Sequence, residues 1–288
     1  MRARGRVGLI AATSALLVAA ACSDVITDPS TPVAIAFDSL AAPSIVVGDT
    51  LRDPITGAVA PLTAQAFNSR GDTISNAPFT FFPRDTGGAL QVVGGNLLYA
   101  AKLQATNPGV VASLNGLQLT RTIAIVLRPD ALHRTNDSVP TIGLVGTDDV
   151  GNVSKDSLRV RVVHDTSTAD STVRSWLVFF SVVDSAPAIA DSVRLINGQG
   201  NRSTVDTTDA AGLASRQVRV YAKAGTLVGT TDSVIVQASA KYRGAELRGS
   251  PVTFAVPLVV TSSTASSAGR RASATTSSDA LPAAATAP

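Results

Sequence analysis

From residue 33 to residue 260 the apolar positions come in short bursts, each closed within a few residues by Gly, Pro, Asn, Asp or Ser. Bursts of this length, rich in Val, Ile, Phe and Thr, predict β-strands joined by turns rather than helices. In the first stretch they fall at 33–37, 44–47, 61–67, 79–82, 89–93 and 97–101. Within 61–67, Leu62, Ala64 and Ala66 share one face and Thr63, Gln65 and Phe67 the other, which reads as a two-sided strand. The Phe-rich run 79–82 reads as a buried strand. The sharpest local signal is Asn115-Gly116 between the runs 110–114 and 117–126, because both positions of the favoured two-residue hairpin turn need φ > 0. On its second arm Leu117, Leu119, Ile123, Ile125 and Leu127 keep one parity, interrupted by Arg121.

A second series of bursts follows at 141–147, 158–163, 173–183, 193–196, 215–221, 233–242 and 252–260. In 173–183 both faces are apolar, with Trp176, Val178, Phe180 and Val182 on one and Val173, Leu177, Phe179 and Val183 on the other, the pattern of a central strand buried on both sides. Between the two series, 128–138 holds Pro129 and few apolar anchors and reads as a linker. The organisation expected is therefore all-β, with two tandem β-sandwiches at 33–127 and 139–260. The tail 261–288, mostly Ser, Thr, Ala and Pro, cannot bury enough apolar surface to offset the entropy of ordering it.

The N-terminus breaks this pattern. Arg2, Arg4 and Arg6 precede an apolar run from Val7 to Ala21, and Ala19-Ala20-Ala21 stand just before Cys22, the sole cysteine. Basic head, apolar run and small residues form the layout of an export signal, and the run is shorter than the ~20 residues of a membrane-spanning helix. With the cysteine directly after the small residues, 1–22 resembles the signal and lipobox of bacterial lipoproteins, with Ala19 where that family usually has leucine. The resemblance implies removal of 1–21, acylation of Cys22 (palmitate among its chains) and a polar tether over 22–32. Ser23 is not the aspartate that retains enteric lipoproteins at the inner membrane, so the family's sorting logic implies the outer membrane, facing either periplasm or medium. An ordinary Ala-x-Ala secretory site cutting at the same bond is the alternative.

Two further resemblances rest on spread-out motifs. Val33-Ala34-Ile35, Val47-Gly48-Asp49-Thr50, Leu62-Thr63-Ala64 leading to Gly71-Asp72, and Pro108-Gly109-Val110-Val111-Ala112 resemble bacterial immunoglobulin-like domains of the group 2 type, with Phe79, Phe81 and Phe82 where that family has a tryptophan. Val178-Phe179-Phe180-Ser181-Val182, the turn from Thr208 to Ala214, and Asp148 with Gly151-Asn152 resemble the group 1 domains of invasin- and intimin-type adhesins. Both imply immunoglobulin-like sandwiches and an adhesion, interaction or spacer role at a cell surface.

Charge and chemistry narrow the function classes. The formal net charge is +3, but loss of the three signal arginines lowers Lys plus Arg from 24 to 21 against 21 acids. No basic run remains to neutralise successive phosphates, so no nucleic-acid partner is expected. One cysteine gives neither a disulfide framework nor a thiolate metal site. His133 and His164 are the only histidines, neither within a zinc-protease or serine-hydrolase motif, and Glu246 is the only glutamate. A serine with His164 and Asp165 is conceivable, but no spacing supports it, and no enzyme, catalytic residue or cofactor is expected. Asp148, Asp149 and Asn152, or Asp206 and Asp209, fall short of the six to eight oxygens calcium takes, and they read as turn residues, so no metal is expected. Arg70-Gly71-Asp72 spells an integrin-ligand tripeptide but reads as a turn. Trp176 reads as core, and Tyr99, Tyr221 and Tyr242 lie on separate strands rather than on one glycan platform. The sequence thus points to a non-enzymatic envelope protein, joined to the membrane through Cys22, with a protein or glycan ligand of unknown identity. A polysaccharide-binding accessory lipoprotein is the alternative.

Overall fold

The computed structural model describes residues 30–260 except 86, 136–139, 145–150, 166–169, 186 and 222–231. The expectations for the signal, Cys22, most of the tether, Asp148, Asp149 and the tail fall outside these residues.

The described chain is all-β. The first half contains β1 (Ala34–Phe37), β2 (Ser44–Val46), β3 (Ala64–Phe67), β4 (Thr73–Ile74), β5 (Thr80–Pro83), β6 (Leu90–Val93), β7 (Leu97–Ala100), β8 (Gly109–Leu114), β9 (Leu117–Thr122) and β10 (Ala124–Val126). One layer joins the antiparallel ladder β1-β3-β4 to β5-β8-β9, with the Arg121 guanidinium of β9 donating to Phe37 O of β1 at 3.4 Å. The other layer is built around β2, parallel to β10, and continues through a Thr50–Tyr99 bridge to the β6-β7 hairpin. Between them pack Phe37, Ile45, Leu51, Leu90, Leu98, Val110 and Ile123. The Asn115-Gly116 turn has φ of 49° and 83°, as that pair demands.

The second half contains β11 (Ala131–Arg134), β12 (Ile142–Leu144), β13 (Asn152–Val153), β14 (Leu158–His164), β15 (Ser171–Thr172), β16 (Leu177–Ser185), a 3₁₀ turn (Pro187–Ser192), β17 (Val193–Ile196), β18 (Val205–Thr207), β19 (Leu213–Val220), β20 (Ser233–Ser239), β21 (Lys241–Tyr242), β22 (Ala245–Glu246) and β23 (Val252–Val260). One sheet runs β11-β14-β19-β13, with β15 on β14 and β17 on β19; the other runs β12-β23-β20-β16-β18. Alternate residues of the long strands fill the space between: Leu158, Val160 and Val162; Val234, Val236 and Ala238; Phe254, Val256 and Leu258.

Both halves divide their opening strand in the same way. β1 pairs antiparallel with β3 and the chain then crosses to lay β2 parallel to β10; β11 pairs antiparallel with β14 and the chain then crosses to lay β12 parallel to β23. Each sandwich is thus closed by a parallel pair of early and last strands.

Three expectations change and one holds. The run 128–138 is not a linker throughout, since β11 lies within it and Ala131 and Leu132 are buried against the second core. The run 79–82 is an edge rather than a buried strand: among the described residues β5 pairs only with β8, Phe79 and Phe81 are half-buried and Phe82 is exposed. The run 61–67 keeps the alternation read from it, with Leu62 and Ala66 inside and Thr63 and Gln65 in solvent. In 173–183 the buried face is Trp176, Val178 and Phe180; a bulge between Val182 and Asp184 turns the end outward and leaves Val182 and Val183 exposed.

Candidate functional site: the junction between the sandwiches

Only residues 127–130 separate β10 from β11. So short a connection leaves little freedom, and its own groups are tied down as well. Pro129 is buried. Asp130 N–H donates to Val163 O at 2.9 Å, and Asp130 O accepts Arg248 N–H at 3.1 Å. The Asp130 carboxylate takes Arg128 Nε at 2.6 Å on Oδ1, and His164 Nδ1 at 2.6 Å and Asp165 N–H at 3.2 Å on Oδ2. Burial opposes ionisation of Asp130, but bonds from His164, Arg128 and Asp165 outweigh it and hold the acid below its ordinary range.

The second tie is Asp49, in the turn that follows β2. Gly48 enters the left-handed region with φ of 79°, and this swings Asp49 toward the second half. The residue is 5% exposed. Its Oδ1 accepts Thr50 N–H at 2.8 Å and Arg52 Nε at 3.1 Å, both from its own half. Its Oδ2 accepts Tyr242 O–H at 2.8 Å and Arg243 Nε at 2.9 Å from the other half. Burial alone would raise the acid; the bonds from Arg243, Tyr242, Thr50 and Arg52 overcome it and bring the pKa down to about 2. The same contact, added to burial, pushes the Tyr242 phenol up.

Around this hub the backbones nearly touch. A Cβ on Gly57 would lie 2.1 Å from the Arg243 carbonyl carbon, and one on Gly244 would lie 2.7 Å from Thr56 O. Both glycines have positive φ, 74° and 80°, so no other residue suits either place. Apolar packing continues across the joint: Val46, Ala124 and Val126 of the first half belong to the core cluster of the second. On another side Arg174 donates to Gln104 O at 3.3 Å and Ala105 O at 2.6 Å. The cleft left between Ser44, Asp49, Trp176 and Tyr242 offers about 30 Å³. That is room for a water or two, so the space around Asp49 is nearly filled, whereas on the Arg174 side a wider, open cleft of about 420 Å³ lies between Leu103, Gln104, Leu127 and Ala210.

The residues singled out from the sequence are dispersed. His164 faces Asp130 at the connection, whereas His133 is exposed on β11 opposite Arg161. Asp206 is occupied: Oδ2 accepts Ser215 N–H at 2.6 Å and pairs with Arg216 Nη1 at 3.0 Å. Asp209 Oδ1 accepts the N–H groups of Ala211 and Leu213, closing the turn. Arg70-Gly71-Asp72 is a turn as expected, with Asn68 Oδ1 accepting the Arg70 and Asp72 N–H groups and Gly71 at φ of 84°. Trp176 is core, in edge contact with Tyr242 at 6.1 Å between ring centroids. Tyr221 is exposed and lies against Gly151, and Tyr99 is half-buried in β7. The hub itself was missed. Asp49 reads locally as a turn residue, and Tyr242 lies 193 positions away.

No family profile matches the chain, and no curated protein does. Among solved structures, human protocadherin-24 EC1-2 aligns over 81% of this chain and 100% of its own, at 18% identity and a TM-score of 0.26. Mouse protocadherin-24 EC1-3 aligns over 79% of this chain and 70% of its own, at 14% identity and a TM-score of 0.27. Domains 4–9 of the surface-layer protein SbsC align over 80% of this chain, which spans 32% of that fragment, at 12% identity and a TM-score of 0.28. At such scores the fold rests on the strand pairing described above.

Proposed function

We propose that this chain is a non-enzymatic, lipid-anchored envelope protein. Its two sandwiches, on either side of residues 127–130, act as one stiff spacer that carries an adhesion or interaction surface away from the membrane. The observation that carries the reading is the junction: a four-residue connection clamped at Asp130, and a buried carboxylate at Asp49 that takes donors from both halves. Linked domains move relative to one another by default, and a short clamped connection with apolar packing across it works against that motion. The layout of 1–22 supports the anchor at Cys22, since two or more acyl chains hold a protein stably at a bilayer. The outer membrane follows from Ser23 under the lipoprotein sorting logic, and the ligand is a protein or glycan met beyond the anchor.

Cell fractionation and small-angle scattering test the two parts separately. Cys22→Ala should move the protein from the membrane to the soluble fraction; retention in the membrane removes the anchor. The released chain should scatter with a single end-to-end distance for the paired sandwiches, and a broad distribution of separations removes the spacer.

A further inference from the structure

Next to the clamped connection, the start of the second sandwich gathers three side chains whose ligand atoms the junction leaves aside. His133 projects from β11, Asp165 directly follows β14 and Asp170 directly precedes β15. The β14–β15 pairing, with His164 opposite Ser171, brings the two aspartates to the same end of the ladder, while the β11–β14 pairing sets His133 opposite Arg161 in the same sheet. One ligand atom from each of the three lies within 4.8 Å of the others. His133, Thr135 and Asp170 also line a cavity of about 360 Å³ with Arg134 and Arg161.

Two atoms here lack the partners that buried polar groups normally have. Asp165 Oδ1 is shielded from solvent and bonds nothing among the described residues, and so is Thr135 Oγ1. Asp165 is otherwise held in place: its Oδ2 meets Arg248 Nη2 at 2.5 Å and its N–H donates to Asp130. A carboxylate fixed through one oxygen, with a second carboxylate and an imidazole close by, has the form of an oriented metal ligand.

We propose that His133, Asp165 and Asp170 bind a divalent transition-metal ion of the zinc class. One imidazole nitrogen and two carboxylate oxygens suit zinc, whereas calcium wants six or more oxygens and has no use for the imidazole. Three protein ligands leave a fourth position open to water or to an anionic group, and Arg161 lines the same cavity as His133 and Asp170.

The test is calorimetric titration of the full chain with zinc chloride, with Cys22→Ser in every sample so that the lone thiol cannot contribute. One equivalent should bind, and His133→Ala and Asp170→Asn should each weaken binding at least about tenfold. His133→Gln serves in place of His133→Ala if Trp176 fluorescence shows that variant unfolded. In the unsubstituted ring, zinc should also shift one set of imidazole proton resonances, that of His133, and leave the His164 set in place. The proposal is overturned by absence of heat at hundreds of micromolar zinc, by binding undiminished in the His133 variants, by calcium binding without zinc binding, or by an unmoved His133 resonance.

Discussion

Replacing Asp49 with alanine removes the acceptor that both sandwiches share, and the structure sets the size of the loss. Lowering the pKa from 3.8 to about 2 corresponds to about 2 kcal/mol in favour of the ionised, fully bonded carboxylate. Truncating one partner of a fully buried charge network costs about 3–5 kcal/mol. Here the cations can rehydrate, with Arg52 27% and Arg243 52% exposed, so the lower figure governs. The expected destabilisation is about 2–3 kcal/mol. Because Tyr242 and Arg243 cross the junction while Thr50 and Arg52 do not, about half of it belongs to docking of the halves. Urea unfolding followed by Trp176 emission reads both parts, since the sole tryptophan packs at the joint against Tyr242. A cycle with Arg243→Ala isolates the crossing term, expected to show clear non-additivity. Strict additivity in that cycle, or a shift below about 0.5 kcal/mol for Asp49→Ala alone, would refute the view of Asp49 as the bond between the halves.

Three other outcomes follow from particular contacts. Asp49 has a depressed pKa, so its contribution is complete above pH 3.8 and fades as pH falls toward 2; the urea midpoint should drop over that window, and by less in Asp49→Asn. Gly57→Ala sets a methyl 2.1 Å from the Arg243 carbonyl carbon at a φ of 74°, and scattering should show the halves displaced while each keeps its strand content by circular dichroism. Arg216→Ala strips the 5% exposed guanidinium that bonds Asp206, Ser203 and Val205 and lies over the Phe180 ring; a loss of about 3 kcal/mol or more is expected in thermal or urea unfolding, confined to the second sandwich.

The strands of this chain were legible because alternation is a local property. Val234, Val236 and Ala238, and then Val252, Phe254 and Val256, announce in sequence the faces that they bury. Turns were legible for the same reason: Asn115-Gly116 and Gly71-Asp72 carry their backbone requirement in the residues themselves. What composition could not show is which strand sits at an edge. Phe79, Phe81 and Phe82 look like core until β5 is found with a single neighbour. Nor could it separate linker from strand at 128–138, where β11 contributes only Ala131 and Leu132 to the interior and keeps His133 and Arg134 at the surface. The repeat of the divided opening strand would have revealed it, since β1 and β2 make the same two-step in the first half. The junction was illegible for a different reason. Asp49, Tyr242 and Arg243 are each ordinary at their own place in the chain, and only the close approach of Gly57 and Gly244 makes them a site.

The parallel closure of each sandwich bears on how the molecule answers to force. A chain tethered near its N-terminus and pulled toward its C-terminus draws β2 and β10 in opposite directions along their length, and β12 and β23 likewise. Hydrogen bonds across a ladder loaded in that way run across the pull, evenly spaced, and must yield together, whereas a hairpin opened from its end unzips one rung at a time. Each half therefore carries a shear-loaded latch between its early and last strands. The extension at which it gives way is a property of its unfolding rate rather than of its equilibrium stability.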